Sequence, residues 1–186
     1  ANRVVAVTFT NKAAREMSAR VQQLTGISQA MWMGTFHSVC AKILRRNAER
    51  VGLTSSFTIL DDDDQLRLIK TILSEQNIDD KATPPKLVHA IIQQWKDRGL
   101  TPEKLGAHDK EHLSGRGPNL YALYQKRLKQ VNAVDFGDLI LHCLTLFTEH
   151  EDVLKDYSSR FKYILVDEYQ DTNVAQYLWL RLLASA

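Results

Sequence analysis

Two adjacent acids follow a short apolar run near the end of the sequence. Tyr163–Val166 is typical of a strand buried on both faces of a parallel sheet, and Asp167 and Glu168 come directly after it. Open α/β sheets bind ligands at the carboxyl ends of their strands. A carboxylate there suits Mg²⁺, and a second one can deprotonate the water that attacks a terminal phosphoryl group. We therefore expect Asp167 to bind the metal and Glu168 to activate the water.

A purely structural role is the alternative for this stretch. Asp167, Asp171 and Asn173 could simply end a strand and cap the helix that begins near Asn173. An apolar run followed by Asp-Glu does not by itself choose between the two interpretations, so the remaining elements have to be considered.

A strand–turn–helix unit is predicted at residues 4–26. The β-favouring residues 4–10 precede a helix at residues 12–25, which Gly26 ends, and Thr10 and Asn11 are cap-type residues at its start. The turn offers an aromatic ring, a hydroxyl and an amide beside a helix amino terminus, groups that stack on bases and contact phosphates. Alternatively, Phe9 belongs to the core and Lys12 is solvated. The turn residues are Phe9, Thr10 and Asn11, and the helix residues expected to face the core are Met17, Val21 and Leu24.

A second unit follows at residues 31–52. Residues 31–33 suggest a short buried strand, and Gly34-Thr35 a turn into a helix that runs to about Val51, with Gly52 after it. One helix face is cationic, beside a turn that bears Thr35 and His37, and could contact phosphates. The alternatives are a solvated helix face and a structural histidine. The cations of this face are Lys42, Arg45, Arg46 and Arg50.

The middle of the chain is predicted to be helical, with no strand after residues 57–60. The acids at residues 61–64, with Asp61 as the helix cap and three acids in the first turn, oppose the positive end of a helix better than they form a metal site. His108 and His112 lack a third ligand, so zinc is not expected. Asp135 and Asp138 can cap a helix that runs through Glu149. We predict an α/β domain at 1–55 and 132–186, interrupted by a helical insertion at 56–131.

Composition limits the function classes. The 186 residues are 44% hydrophobic and carry a net charge of +2, so any nucleic-acid surface must be local. Cys40 and Cys143 lack metal or disulfide spacing, and no apolar run approaches the roughly 20 residues that span a bilayer. A cytoplasmic protein is expected. Because the chain begins without Met inside a strand and stops after a helix, we expect a piece of a longer protein.

Three segments resemble motifs of one enzyme family. VTFTNKAAREM at residues 7–17, GTFHS at 34–38 and VDEYQDTN at 166–173 resemble motifs Ia, Ib and II of superfamily 1A DNA helicases of the UvrD/PcrA/Rep type. Their order and spacing also match, as do the DFGDLI stretch and the insertion corresponding to subdomain 1B. The similarity covers essentially the whole chain, and three motifs in register are much more specific than one.

The resemblance implies a fold and a nucleotide site. The fold would be a partial RecA-like (P-loop NTPase) parallel sheet with an inserted all-helical subdomain. The family pattern assigns Mg²⁺ to Asp167 and the hydrolytic water to Glu168, in agreement with the residues' own chemistry. Gln170 and Asp171 would couple this site, which binds ATP, to neighbouring motifs.

The resemblance also implies a nucleic-acid partner. Family members hydrolyse ATP to translocate 3′ to 5′ on single-stranded DNA and separate duplexes in repair and replication. Single-stranded DNA and its junctions with duplex would be the partners, with DNA-repair proteins as further candidates. Motifs Ia and Ib contact the strand, which implicates Phe9, Thr10, Asn11, Thr35 and His37 in DNA binding.

The sequence departs from the family pattern in one respect that bears on activity. GxxxxGK[ST], the P-loop that cradles phosphates, does not occur in these residues, nor do the motifs downstream of motif II. We therefore expect the longer protein to be an ATP-dependent helicase and this chain alone to be inactive. Two alternatives remain open: part of a helicase-nuclease of the AddA/RecB type, and a non-enzymatic module that binds single strands or other proteins.

Overall fold

The computed structural model describes residues 3–26 and 32–185, which form two parallel sheets and a set of helices. Met31, which we expected in the second strand, lies outside the described residues. The strands are β1 (Val4–Thr8), β2 (Trp32–Thr35), β3 (Thr58–Ile59), β4 (Ala133–Val134) and β5 (Tyr163–Val166). The helices are α1 (Asn11–Thr25), α2 (Phe36–Arg46), α3 (Asp62–Glu75), α4 (Pro85–Asp97), α5 (Gly117–Gln130), α6 (Phe136–Glu149), α7 (Glu151–Arg160) and α8 (Val174–Ser185).

The larger sheet has the strand order β2-β1-β5, with all neighbours parallel. Val7 of β1 aligns with Gly34 on one side and with Val166 on the other. The three strands therefore end at the same edge, where the next residues are candidate functional residues. The chain is thus an α/β protein with a small parallel sheet. Its main core lies between this sheet and helices α2, α6, α7 and α8.

Strand β5 forms where predicted, but the expectation that both of its faces are buried is wrong. Ile164 and Val166 pack against the core, whereas Tyr163 and Leu165 are 66% and 58% exposed. Among the described residues β5 is an edge strand with one covered face. An apolar run indicates a strand but does not say how many of its sides find a partner.

Helix α1 also forms where predicted, but its apolar residues do not enter the core. None of its residues is buried, and Leu24 is 85% exposed, while Met17 and Val21 are partly exposed. Thr10 caps the helix by accepting a hydrogen bond from the Ala13 amide, and Gly26 ends it at φ 68°. Periodic spacing identifies residues that share a helix face, but another element must cover that face before they are buried.

Helix α2 is shorter than predicted: it ends at Arg46 and not near Val51. The side chain of Asn47 donates a hydrogen bond to the Ile43 carbonyl, and a single 3₁₀ turn follows over Ala48–Val51. Gly52 then reverses the chain at φ 78°. The capping signal at Gly52 was therefore real, but it belongs to the 3₁₀ turn.

Helices α3, α4 and α5 share a second apolar cluster, separate from the main core. Asp61 caps α3 as expected, accepting from the Asp64 amide at 2.8 Å. Strand β4, which we did not predict, pairs in parallel with β3, so the chain enters and leaves this helical segment side by side. The division at 56–131 stays a prediction.

Two further observations concern the described part of the chain. None of its helices is long and apolar enough to cross a membrane. Cys40 and Cys143 are buried free thiols on facing helices, with Cys143 Sγ 3.3 Å from the Cys40 carbonyl oxygen.

Candidate nucleotide and nucleic-acid site

Asp167 lies at the carboxyl edge of the sheet and is held there from β1. Its amide donates to the Val7 carbonyl at 3.0 Å, which continues the strand pairing by one residue. The Thr8 hydroxyl donates to Asp167 Oδ2 at 3.4 Å. The carboxylate is exposed, and therefore open to a ligand. Thr8 was missed by the sequence analysis, which treated it only as part of a strand.

Glu168 adopts a backbone conformation that is uncommon for a residue with a side chain. Its φ of 54° and ψ of 46° lie in the left-handed region, which costs roughly 1–3 kcal/mol and recurs at functional sites. The Asp171 amide donates to the Glu168 carbonyl at 2.9 Å, and the Gln170 amide group donates to the Glu168 carboxylate. This turn directs the chain away from the sheet directly after Asp167, and it connects three of the residues expected at the nucleotide site.

The capping role weighed above belongs to Asn173. Its side-chain oxygen accepts from the Gln176 amide at 2.8 Å, and the Gln176 side chain accepts from the Asn173 amide at 3.0 Å. This reciprocal pair starts α8. Asp167 instead accepts a hydrogen bond from Thr8 across the sheet, so the cap of α8 is formed by Asn173 and not by Asp167.

The oxygen donors at this edge are too few to hold Mg²⁺ alone, but they suit Mg²⁺ that is also bound by a nucleotide. No group of three His, Cys, Asp or Glu side chains in residues 3–26 and 32–185 could hold a metal by itself. Asp167 and the Thr8 hydroxyl offer a carboxylate and one neutral oxygen. Mg²⁺ commonly takes only one or two protein carboxylates and fills its octahedron with waters and phosphates. The residues therefore suit a metal that arrives with a nucleotide.

A groove of about 520 Å³ lies between one side of α1 and the junction of β2 with α2. It brings together Asn11 and Thr35, which are expected to bind DNA. The Thr35 hydroxyl accepts from the Ser38 amide at 3.1 Å and so caps α2. Hydroxyls, amides and a cation facing one groove are the groups that position a phosphate backbone. The lining residues include Asn11, Arg15, Ser18, Gly34, Thr35 and Ser38.

Two aromatic pairs lie beside the ends of β1 and β2. Phe9 is partly buried and packs on Phe36, with ring centroids 5.3 Å apart. The His37 ring stacks on Phe136, with centroids 3.8 Å apart and planes at 17°. Burial lowers the pKa of His37 to about 4, so the imidazole is neutral at physiological pH. Phe136 is 56% exposed and presents an aromatic surface to solvent.

Phe136 was not among the residues expected at the site, although the sequence carries a signal for it. The residue directly follows the helix cap Asp135 and lies outside the apolar stripe of α6, which is buried. An aromatic residue that is off the buried face of its helix is a candidate for binding. What the sequence could not reveal is its partner, because His37 is distant along the chain.

Arg45 and Arg46 lie at the other end of α2, about 12 Å along the helix axis from His37 at 1.5 Å per residue. Arg45 donates to the carbonyls of Ser55 and Phe57 at 2.8 and 2.9 Å. The Arg46 guanidinium lies 4.9 Å from the Trp32 ring centroid. The structure therefore does not bring these cations to the groove. The Arg45 guanidinium instead hydrogen-bonds to the loop that follows α2.

Comparison with known proteins identifies the family of this chain. The family profile for the UvrD/REP helicase N-terminal domain matches residues 1–186. The chain is 51% identical over 186 residues to DNA helicase II of Rickettsia typhi, covering 98% of this chain and 28% of the relative. It is 45% identical over 183 residues to the ATP-dependent DNA helicase PcrA of Staphylococcus aureus, covering 98% of this chain and 25% of that protein. The chain thus spans about a quarter of the length of these relatives. It belongs to the UvrD/REP helicase N-terminal domain family.

Proposed function

We propose that the chain is part of an ATP-dependent DNA helicase and carries both nucleotide-site acids and part of a track for single-stranded DNA. The observation that carries this proposal is the common sheet edge. Asp167 follows β5 there, and the groove and the His37–Phe136 stack adjoin the ends of β1 and β2. Nucleotide and DNA contacts would therefore share one rigid frame, which suits an enzyme that couples hydrolysis to movement.

At the nucleotide site, Asp167 would hold Mg²⁺ with help from the Thr8 hydroxyl. The metal would supply positive charge to the phosphates of ATP. Glu168 would orient and deprotonate the attacking water, and its hydrogen bond from Gln170 restrains the carboxylate. Asp171 would couple this turn to neighbouring motifs. A RecA-like architecture is part of this proposal, because the small parallel sheet is compatible with it.

On the DNA side, the groove would contact phosphates and the exposed Phe136 ring would stack on a base. The neutral His37 ring supports Phe136 from behind. The residues proposed to contact single-stranded DNA near the sheet edge are Phe9, Thr10, Asn11, Thr35, His37 and Phe136. Arg45 and Arg46, at the far end of α2, would contact the strand further along.

Several finer properties remain expectations. These are 3′-to-5′ movement, action at junctions of single strand with duplex, a role in repair or replication with repair proteins as partners, and a cytoplasmic location. We expect the 186-residue chain alone not to hydrolyse ATP, since it contains no GxxxxGK[ST] sequence. Mg²⁺-dependent hydrolysis by the pure chain that disappears in Glu168→Gln would contradict this expectation.

A second candidate is a module that binds single-stranded DNA without nucleotide chemistry, and the exposed Phe136 ring of the His37–Phe136 stack favours it. Adding Mg²⁺-ATP, or changing Asp167 to Asn, would then leave DNA affinity unchanged. A helicase-nuclease of the AddA/RecB type would differ from a simple helicase by a nuclease domain, which lies outside these residues. The relatives named above are called DNA helicases, which supports the simpler helicase.

The decisive test is fluorescence anisotropy of labelled single-stranded DNA across a salt series. Phe136→Ala should weaken binding by about tenfold, because one stacked base contributes roughly 1–3 kcal/mol. Tyr163→Ala is the matched control, since Tyr163 is 66% exposed but lies at the amino end of β5, away from the site. Equal affinities for the two variants would refute the proposed DNA track.

A further inference from the structure

We propose that Lys96, in the helical segment, is a positioning residue for Phe136: it binds both acids of the first turn of α6 and so holds the ring that stacks on His37. The inference rests on the proposed function, because it gives the helical segment a task at the DNA track. Nothing in the sequence signals it, since Lys96 lies in a helix otherwise described by its apolar residues.

Lys96 is buried between two buried acids. Its Nζ lies 2.6 Å from Asp135 Oδ2 and 2.8 Å from Asp138 Oδ1, and all three side chains are fully buried. Such groups are costly to bury unless they are paired and hydrogen-bonded. A lysine placed there therefore has a specific structural role.

The same two acids form the capping box of α6. Asp135 Oδ1 accepts from the Asp138 amide at 2.9 Å, and Asp138 Oδ2 accepts from the Asp135 amide at 3.1 Å. Each carboxylate thus uses one oxygen to shape the first helical turn and the other to bind Lys96. Lys96 is thus linked to the backbone of the first turn through the side chain of Asp135 and through that of Asp138.

Additional donors come from the same helical segment. Gln93 of α4 and the Tyr124 hydroxyl of α5 donate to Asp135 Oδ2 at 2.8 and 2.9 Å. Gln125 of α5 donates to Asp138 Oδ1 at 2.9 Å. Donors on α4 and α5 therefore hold acceptors on α6, so the helical segment as a whole fixes the direction in which α6 begins.

Phe136 lies between the two acids in the sequence. It is the first residue of α6, next to Asp135 and within the turn closed by Asp138. Its stack on His37 has a centroid separation of 3.8 Å, so a small rotation of the first turn separates the rings. Without Lys96, two buried carboxylates would face each other without the positive charge of the lysine, and the turn would have to rearrange or admit water.

The experiment combines a readout that needs no DNA with one that does. In the 186-residue chain, NMR titration follows the pKa of His37, which burial lowers to about 4. Phe136→Ala should raise that pKa toward its ordinary value of 6.5, because the His37 imidazole becomes solvated. Lys96→Met should raise it in the same direction, while Lys70→Met, at an exposed lysine on α3, should leave it unchanged.

Single-strand affinity is measured in parallel as a double-mutant cycle. Lys96→Met should weaken binding several-fold in the parent chain and cause no further loss in the Phe136→Ala background. A general loss of stability would instead lower affinity equally in both backgrounds. Gln93→Met and Tyr124→Phe are milder variants of the same network, and they carry the test if Lys96→Met does not fold.

The outcomes separate the inference from the proposed function. If the parent chain does not bind single strands, the proposed track fails in this chain, while the His37 titration still decides whether Lys96 positions the ring. A folded Lys96→Met variant with unchanged His37 pKa, or equal losses in both backgrounds, would overturn the inference.

Discussion

Asp138 is expected to link the stability of the protein to acidic pH. Its carboxylate is fully buried and receives Lys96 Nζ at 2.8 Å and Gln125 Nε2 at 2.9 Å. Burial by itself raises the pKa of Asp138, but the charges of Lys96 and His142 and the hydrogen bonds from Lys96 and Gln125 lower it more, from 3.8 to about 2. The ionised form is therefore favoured by folding.

The sign and size of the effect follow from linkage. Because the pKa in the folded protein lies below the pKa in the unfolded chain, the stabilisation is complete above the unfolded pKa of 3.8 and is lost as pH falls through about 2. One pKa unit corresponds to about 1.4 kcal/mol, so the contribution lost over this window is ~2 kcal/mol.

The perturbation is Asp138→Asn, assayed by urea unfolding with tryptophan fluorescence from pH 7 to pH 2.5. At pH 7 the substitution should lower the free energy of unfolding by about 3 kcal/mol, because it removes one partner of a buried ion pair. Below pH 4 the difference between parent and variant should shrink, and most of the ~2 kcal/mol should be lost by pH 2.5, since the parent loses the same charge by protonation.

Asp152→Asn is the control, because Asp152 pairs with Arg50 at 2.8 Å but its side chain is 63% exposed. Such surface pairs contribute at most about 1 kcal/mol. A parent-to-variant difference at Asp138 that stays constant from pH 5 to pH 2.5 would refute the reasoning, since it would mean that Asp138 titrates alike in the folded and unfolded chains.

Three further predictions concern residues of the candidate site. Glu168→Gly should raise the free energy of unfolding in urea by up to about 1 kcal/mol, because glycine tolerates the positive φ, whereas Glu168→Ala should not. Asn173→Ala should lower the free energy of unfolding by about 1 kcal/mol, because α8 loses its cap, and thermal melting followed by far-ultraviolet circular dichroism should show a lower melting temperature. His37→Phe should flatten the pH dependence of stability between 6.5 and about 4, because the lowered pKa of His37 makes the parent less stable as pH falls through that range; an unchanged slope would contradict this.

The strained turn after Asp167 gives the acid pair different surroundings. Asp167 is tied to the sheet through Val7 and Thr8, whereas Glu168 already belongs to the turn that leaves it. One carboxylate is thus fixed relative to the strands and the other relative to the turn. This division fits a metal ligand next to a residue that must meet a water.

Local features of this protein could be predicted from the sequence because they depend on residues a few positions apart. A helix cap accepts from an amide three residues later, so short motifs are enough to place it. Gly26 and Gly52 end their segments because they tolerate positive φ. The acid pair was placed correctly because an apolar run and the residue after it are adjacent in the chain. The caps identified in this way are Thr10, Asp61 and Asp135.

Burial and distant contacts were decided only by the tertiary structure. Leu24 and Tyr163 have the composition of core residues, yet both are exposed because no described element covers their side. His37 meets Phe136, which lies 99 positions further along the chain. Lys96 reaches Asp135 and Asp138 only because α4 packs against the start of α6. The sequence by itself therefore determined most of the elements, the ends marked by a cap or a glycine, and the acids at the sheet edge, since these depend on neighbours in the chain. The structure decided which faces are covered and which side chains meet, since these depend on the path of the chain between them.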